Sequence, residues 1–374
     1  MKKWAVISVI LFGGQAVFAQ VYTPSDKLAT NETVWLYGSM QRLIGAGVLF
    51  GHHDDTAYGV GWKNEDNRSD VKSVCGSYPS LYEWDFSGLE SERERDIDGT
   101  SFKLQRKLVR QAYDRGGINE FCWHMPNPAN FKSAWDTTKN TVKDIIPSGS
   151  HHADYKYYLD QVAKYVRTLK GPDGEAIPIL FRPFHELTGN WFWWGKNRCT
   201  PDEFKTLWRF TLDYLRNTKK LHNLIIVYSV ADFNNKTDFL ERYPGDDYVD
   251  IIGFDNYCLK NVTNYQKNLD KRMAIQLDIA REHHKLACLA ETGYQGIPMA
   301  DWWTKVVLPE LIKYSHTSFM LVWRNAGPEQ YYAPYPDQKS ADDFKDFFCD
   351  KHTLFQNRLT PLAVYGKYIP PVAQ

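Results

Sequence analysis

Eight short apolar runs, most of them rich in β-branched or aromatic residues, recur along this 374-residue chain. They fall at 48–50, 80–84, 118–123, 177–181, 224–228, 249–254, 286–290 and 319–323. Their apolarity is nearly continuous rather than alternating, as in strands covered on both faces. Segments with helical spacing at 98–115, 152–169, 202–215, 264–284 and 301–314 lie between them. Thr200-Pro201-Asp202-Glu203 supplies an N-cap, a proline at the first helical position and acids in the first turn. Strands alternating with helices imply parallel pairing through right-handed crossovers, and eight such units predict an α/β fold, a (β/α)8 TIM barrel. Pro178 stands near the start of its run, where a missing N–H is tolerated.

The first residues are expected to lie outside that fold. Lys2 and Lys3 precede an apolar stretch from Trp4 to Phe12, and Val17-Phe18-Ala19 suits a cut after Ala19. Residues 1–19 therefore read as a secretory signal peptide, too short to span a bilayer. Gln20 rather than a cysteine follows the cut, so no lipid anchor is expected. Residues 20–374 contain no linker, repeat or low-complexity tract and are read as one catalytic domain, exported to the periplasm or secreted, without a membrane anchor and as a monomer.

Net charge is zero and no basic cluster stands out, which argues against nucleic acid or an anionic membrane as partner. Aromatic residues make up 15% of the chain, with 13 Trp and 23 Tyr. Aromatic faces cover the C–H patches of sugars well, so this composition suits a neutral carbohydrate; a Trp-rich core fits it equally. The six cysteines include Cys122 and Cys288 inside predicted strands, where they act as small hydrophobes. No C-x-x-C or H-x-x-x-H spacing occurs, so neither a structural zinc nor any other metal or cofactor is expected.

On such barrels function gathers at the C-terminal ends of the strands. Here those ends read Gly51-His52, Trp84-Asp85, Trp123-His124, His185-Glu186, Tyr228-Ser229, Asp255-Asn256-Tyr257, Glu291 and Trp323-Arg324. Two carry a glutamate among aromatic residues: Phe181-Arg182-Pro183-Phe184-His185-Glu186, running into Trp191-Phe192-Trp193-Trp194-Gly195, and Leu289-Ala290-Glu291-Thr292-Gly293-Tyr294. A carboxylate at the end of a buried strand is costly without partners or a task. For one such glutamate an ion pair is the duller explanation. Two, on strands four and seven, can face each other across the barrel mouth as glycosidic cleavage requires. A gap of about 5–5.5 Å would make one a nucleophile and the other acid then base, with retention; about 6.5–9.5 Å would admit a water and invert. Tyr257, ending strand six, is placed to donate to Glu291. The residues themselves leave the two roles unassigned.

Arg182-Pro183-Phe184-His185-Glu186, with Gly189 and Trp191-Phe192-Trp193-Trp194-Gly195, closely resembles the acid/base region of glycoside hydrolase family 26. The resemblance extends in order through Trp123-His124, Gly253-Phe254-Asp255-Asn256-Tyr257, Ala290-Glu291-Thr292-Gly293 and Val322-Trp323-Arg324-Asn325-Ala326. It implies a retaining (β/α)8 glycosidase with Glu186 as acid/base and Glu291 as nucleophile. It also implies hydrolysis of β-1,4-mannosidic bonds in mannan, glucomannan, galactomannan and their oligosaccharides, cutting internally or releasing mannobiose from ends. His185 stands where many clan relatives carry Asn, which fits this family. On the same resemblance, His124 binds sugar hydroxyls, Trp191 and Trp323 wall the sugars on either side, and Tyr257 orients the nucleophile. Arg324 is a hydroxyl clamp further out, and Trp135 reaches the cleft from the loop after strand three. Arg182 braces the carboxylates from beneath, Asp85 and Asp255 are structural acceptors, and Trp84 and Trp193 are core lids.

Other readings compete. Some family members cut β-1,3-xylan or mixed-linkage β-glucan. His52-His53-Asp54-Asp55 could begin a metal-dependent barrel hydrolase, but Tyr228-Ser229 and Trp323 stand where further ligands would be needed, so 52–55 is read as a loop at the cleft edge. A sugar-binding protein without catalysis has no reason to desolvate two acids. The long segment 56–77 after strand one would decide between internal and chain-end cutting if it walls off the cleft.

Overall fold

A computed structural model describes residues 22–366; the expected signal peptide lies outside them. Eight parallel strands close into a barrel: β1 (Val48–His53), β2 (Leu81–Asp85), β3 (Ile118–Cys122), β4 (Ile179–Arg182), β5 (Leu224–Val230), β6 (Ile251–Tyr257), β7 (Leu286–Gly293) and β8 (Thr317–Val322). Each pairs with its sequence neighbour, and β8 closes on β1 through Leu49–Phe319 to His52–Val322. Helices lie between the strands, so the fold is the (β/α)8 barrel that the apolar runs predict.

The two-residue period of a strand divides its side chains between two cores. Leu49, Leu81, Ile118, Leu180, Ile225, Ile251, Cys288 and Phe319 fill the lower barrel interior. Helix Asn31–Leu43 plugs the bottom with Leu36, Tyr37 and Met40. Phe50, Tyr82, Phe121, Phe181, Ile226, Ile252 and Leu289 point outward against the helices. Continuing the inward parity upward brings Glu83, Glu120, Arg182, Ser229 and Asp255 into the barrel beneath its mouth, all buried. The lower interior is apolar; the upper interior is charged.

β7 departs from regular pairing at one point. Phe254 faces Leu289, but the next residue, Asp255, faces Glu291, so Ala290 is an extra residue on β7. Such a bulge re-aims the side chains beyond it. Ala290 packs in the inner core, and Glu291 turns inward as well instead of toward the helices.

The helix starting at Pro201 has a full capping box: Glu203 N–H donates to the Thr200 hydroxyl, and the Glu203 carboxylate accepts from Thr200 N–H. Thr200→Ala is expected to cost about 1 kcal/mol of stability, read by denaturant titration, with activity at low temperature unchanged. The helix after β2 starts at Phe102, with Ser101 as its cap, and not at 98. Residues 96–100 are therefore loop, which brings Asp98 to the barrel mouth. The segment 56–77 folds as a small hairpin (Tyr58–Gly59 with Trp62–Lys63) and a short helix, Asp70–Cys75. No helix among the described residues is long and apolar enough to cross a membrane.

Candidate active site

Arg182, the last residue of β4, organises the barrel mouth. Its guanidinium donates to Glu83 Oε1 at 2.8 and 3.1 Å and to Asp255 at 3.2 Å, and it also reaches Glu291. The guanidinium has no contact with solvent. A buried cation persists only where acids surround it. Burial penalises charge on Glu83 as well, but Arg182 and His53 together outweigh it and hold that carboxyl below its usual range. Burial and the nearby Glu83 instead push Glu120 well up, and burial with Glu291 does the same to Asp255. The pile of acids under the mouth is thus only partly ionised.

Glu291 is almost enclosed and accepts from Tyr257 Oη at 2.5 Å as well as from Arg182. Two donors fix its carboxylate at the top of the barrel. Glu186 sits in the turn after β4 with φ of 53°, a left-handed conformation that costs a non-glycine residue about 1 kcal/mol or more. Phe184 shares this feature with φ of 51°. Gly189 lets the turn close, because a Cβ there would lie 2.4 Å from the Trp191 ring. Trp191 Nε1 donates to Glu186 Oε2 at 2.7 Å. Desolvation by the surrounding walls, then the like charge of Glu291, push the Glu186 carboxyl up to about 7.

Two histidines stand beside the glutamates. His124 Nδ1 meets Asp85 Oδ2 at 2.5 Å, and His124 Nε2 lies 3.3 Å from His185 Nε2. Burial opposes charge on His124, but Asp85 overcomes it and raises the pKa. Burial and then His124 depress His185 well below the usual range. The surroundings therefore favour a proton on His124 over one on His185. His185 Nδ1 has no partner among the described residues.

Glu186, Glu291, His124, His185, Trp191, Tyr257, Trp323, Arg324 and Trp135 all line one cleft of about 490 Å³. Trp135 is 48% and Trp191 37% exposed, while Trp84 and Trp193 are buried. A second cavity, of about 550 Å³ near Tyr22, Arg42 and His284, contains none of these residues.

A match to the model of glycosyl hydrolase family 26 covers residues 25–316. The chain belongs to that family. A GH26 β-mannanase from Bacteroides ovatus has the same structure at a TM-score of 0.88, with 40% identity, covering 92% of this chain and 99% of that one. A modular endo-β-1,4-mannanase from Cellulomonas fimi matches at 0.85 and 30% identity, over 93% of this chain and 80% of its own. A mannan endo-1,4-β-mannosidase of Bifidobacterium adolescentis is 30% identical over 358 residues. That match takes in 89% of this chain but 35% of the relative, so the chain spans about a third of that protein's length.

This family 26 cleft includes side chains that the sequence reading passed over. Ile97 and Asp98 come from the loop after β2, Phe192 from the loop after β4, and Gln330 and Tyr332 from the loop after β8. None carries a periodic signal, because each is set by a loop. Segment 56–77 contributes nothing to the lining. The run His52–Asp55 is a loop only in its second half: His52 and His53 end β1, Asp54 and Asp55 turn off it, and all four are buried and absent from the cleft lining. Continuous pairing with β2 and β8 carries the strand that far. His53 Nε2, Asp54 and Asp98 bring metal-ligand atoms within 4.8 Å of one another, but both imidazole nitrogens already meet carboxylates.

Trp191 offers a direct test of how Glu186 is tuned. Its indole hydrogen bond favours the ionised carboxylate, so removing it raises the Glu186 pKa further. In Trp191→Phe the basic limb of the kcat/KM profile should move to higher pH. A limb that stays in place would show that the indole does not set it.

Proposed function

We propose that the chain hydrolyses β-1,4-mannosidic bonds of mannan and manno-oligosaccharides with retention of configuration, using Glu186 as acid/base and Glu291 as nucleophile. One observation carries this reading. The two carboxyls open into one cleft with opposite surroundings: Glu186 is pushed up to about 7, and Glu291 is gripped by a guanidinium and a phenol. Unlike environments around paired acids separate their roles.

In the first step the Glu186 proton passes to the glycosidic oxygen while a Glu291 oxygen bonds to the anomeric carbon and the C–O bond breaks. Glu186, now a carboxylate, takes a proton from water, and that water displaces Glu291 from the sugar. Tyr257 and Arg182 keep Glu291 in line for attack. Trp191 and Trp323 offer faces to the sugars on either side of the cleavage point. His124, His185 and Arg324 supply polar contacts for the hydroxyls, His185 beside the axial 2-hydroxyl of mannose. No cofactor enters the reaction. The residue pattern of 1–19 supports export, which would place the enzyme where imported or external mannan is met.

The test is a digest of unbranched β-mannan followed by proton NMR. β-Configured reducing ends should form first and mutarotate later. Initial α-anomer would sink the retaining mechanism, and equal turnover of matched xylan or β-glucan oligomers would sink the mannose assignment. Product lengths over time separate internal cutting, with an early spread, from mannobiose release.

A further inference from the structure

His53 lies outside the lining of the cleft, yet it touches three parts that build it. Its ring is fully buried at the end of β1. Nδ1 meets Glu83 Oε2 at 2.8 Å, and the other oxygen of Glu83 receives Arg182, the residue that grips Glu291. Nε2 meets Asp98 Oδ2 at 3.1 Å, and the other oxygen of Asp98 lies 2.8 Å from Arg324 Nη1. The imidazole face carries Trp323, with ring centroids 4.0 Å apart and planes 27° apart.

We propose that His53 is a positioning residue: one imidazolium joins the Asp98–Arg324 wall of the cleft to the Glu83–Arg182 support of Glu291, and serves as the bed for the Trp323 platform. The inference rests on the mannanase reading, since it assigns Trp323 and Arg324 to sugar binding. It also has a chemical requirement. A neutral imidazole has a single N–H and can donate to only one of the two acids. Donation to both, which the two short contacts demand, needs the doubly protonated ring. The groups facing it favour that form: Asp54 from the end of its own strand, Glu83 from β2, and Asp98 from the following loop. Burial opposes the charge, and these three acids overcome it. Arg182 from β4 and Arg324 after β8 stand on the far side of Glu83 and Asp98, and Glu120 on β3 stands level with Glu83 and beside Arg182. Losing the proton frees one acid; losing the ring frees both and leaves Trp323 without its bed, while Glu186 and Glu291 keep their own partners.

The experiment compares wild type, His53→Gln and Trp323→Phe. Gln keeps amide donors but lacks the charge and the ring. On mannotetraose, H53Q should raise KM about tenfold and change kcat by less than about threefold, a split that marks lost substrate positioning rather than lost chemistry. Wild-type kinetics in a folded H53Q would overturn the proposal. A second arm needs no substrate. The wild type minus W323F difference in tryptophan emission should titrate well above the usual histidine range, near 6.5, and the titration should vanish in H53Q. A difference with no step above the ordinary range overturns the proposal even if H53Q does not fold, because a step near 7 alone belongs to Glu186 in the same cleft. Failure of the wild type to cleave mannan would instead reject the mannanase reading, and the emission arm would still decide the role of His53.

Discussion

Glu291→Ala should lower kcat on β-mannan by about ten-thousand-fold, equivalent to about 5.5 kcal/mol of activation barrier. The loss is large because a covalent intermediate is removed, not a contact trimmed. The fold should survive. Arg182 loses one acid but keeps Glu83 and Asp255, so its charge is not stranded in the barrel. The space vacated by the carboxylate lies at the head of the cleft and can admit a small anion. With azide present and an activated aryl β-mannoside as substrate, a nitrogen attacks the anomeric carbon directly. The aryl oxygen leaves with the bonding pair, and the product is the α-mannosyl azide, inverted relative to substrate. Restored turnover with that product identifies Glu291 as nucleophile. A β-azide would mean that the roles of the two glutamates are exchanged, and no effect of the substitution on mannan hydrolysis would end the two-glutamate account.

The position of that carboxylate illustrates what a sequence shows and what it hides. Leu286 to Ala290 is apolar and bounded by polar residues, so a strand there, with Glu291 at its upper end, is legible without coordinates. Strict alternation from Cys288 and Ala290, both inside, would nevertheless send Glu291 out toward the helices. Only the bulge at Ala290, visible as the jump in pairing from Leu289 to Glu291, turns it into the mouth. A single extra residue leaves no mark in composition or periodicity.

Boundaries explain most of the remaining differences. The polar run from Asp96 to Ser101 merges with the helical spacing after it, and a helix from 98 is the natural reading. The structure starts the helix after Ser101, whose hydroxyl accepts from Leu104 N–H. That shift of a few residues separates a solvated helix end from Asp98, which lines the cleft and holds Arg324. The Ser101 cap was available as a signal. Tyr332 and Gln330 had none: their loop is held by Asn325, which accepts from the N–H groups of Tyr332 and Ala333 while donating to Asp70, 255 positions away. The strand-four motif succeeded for the converse reason. Glu186, Gly189 and Trp191 depend on each other within one turn, so their spacing carries that turn's geometry, whereas Arg182 finds its partners on β2, β6 and β7.

Glu186→Gln should show a different defect from loss of Glu291, because proton delivery matters only where the leaving group needs it. Mannan hydrolysis should fall about a thousandfold. A dinitrophenyl β-mannobioside leaves as a stabilised anion, so formation of the glycosyl-enzyme should be nearly unaffected, and breakdown should become limiting. A burst of dinitrophenolate followed by slow turnover, with a depressed KM, is the expected trace. The pH profile supplies the sign. In the wild type the reactive form is the protonated acid, so kcat/KM should be full below about 7 and fall as pH rises through it, where desolvation and Glu291 have placed that carboxyl. The amide of Gln does not titrate, so this limb should disappear in the variant, leaving only whatever acid limb the rest of the site imposes. A limb that persists near 7 in Glu186→Gln would assign the ionisation to another group, with His124 the first to examine because its charge is held against Asp85 only 2.5 Å away.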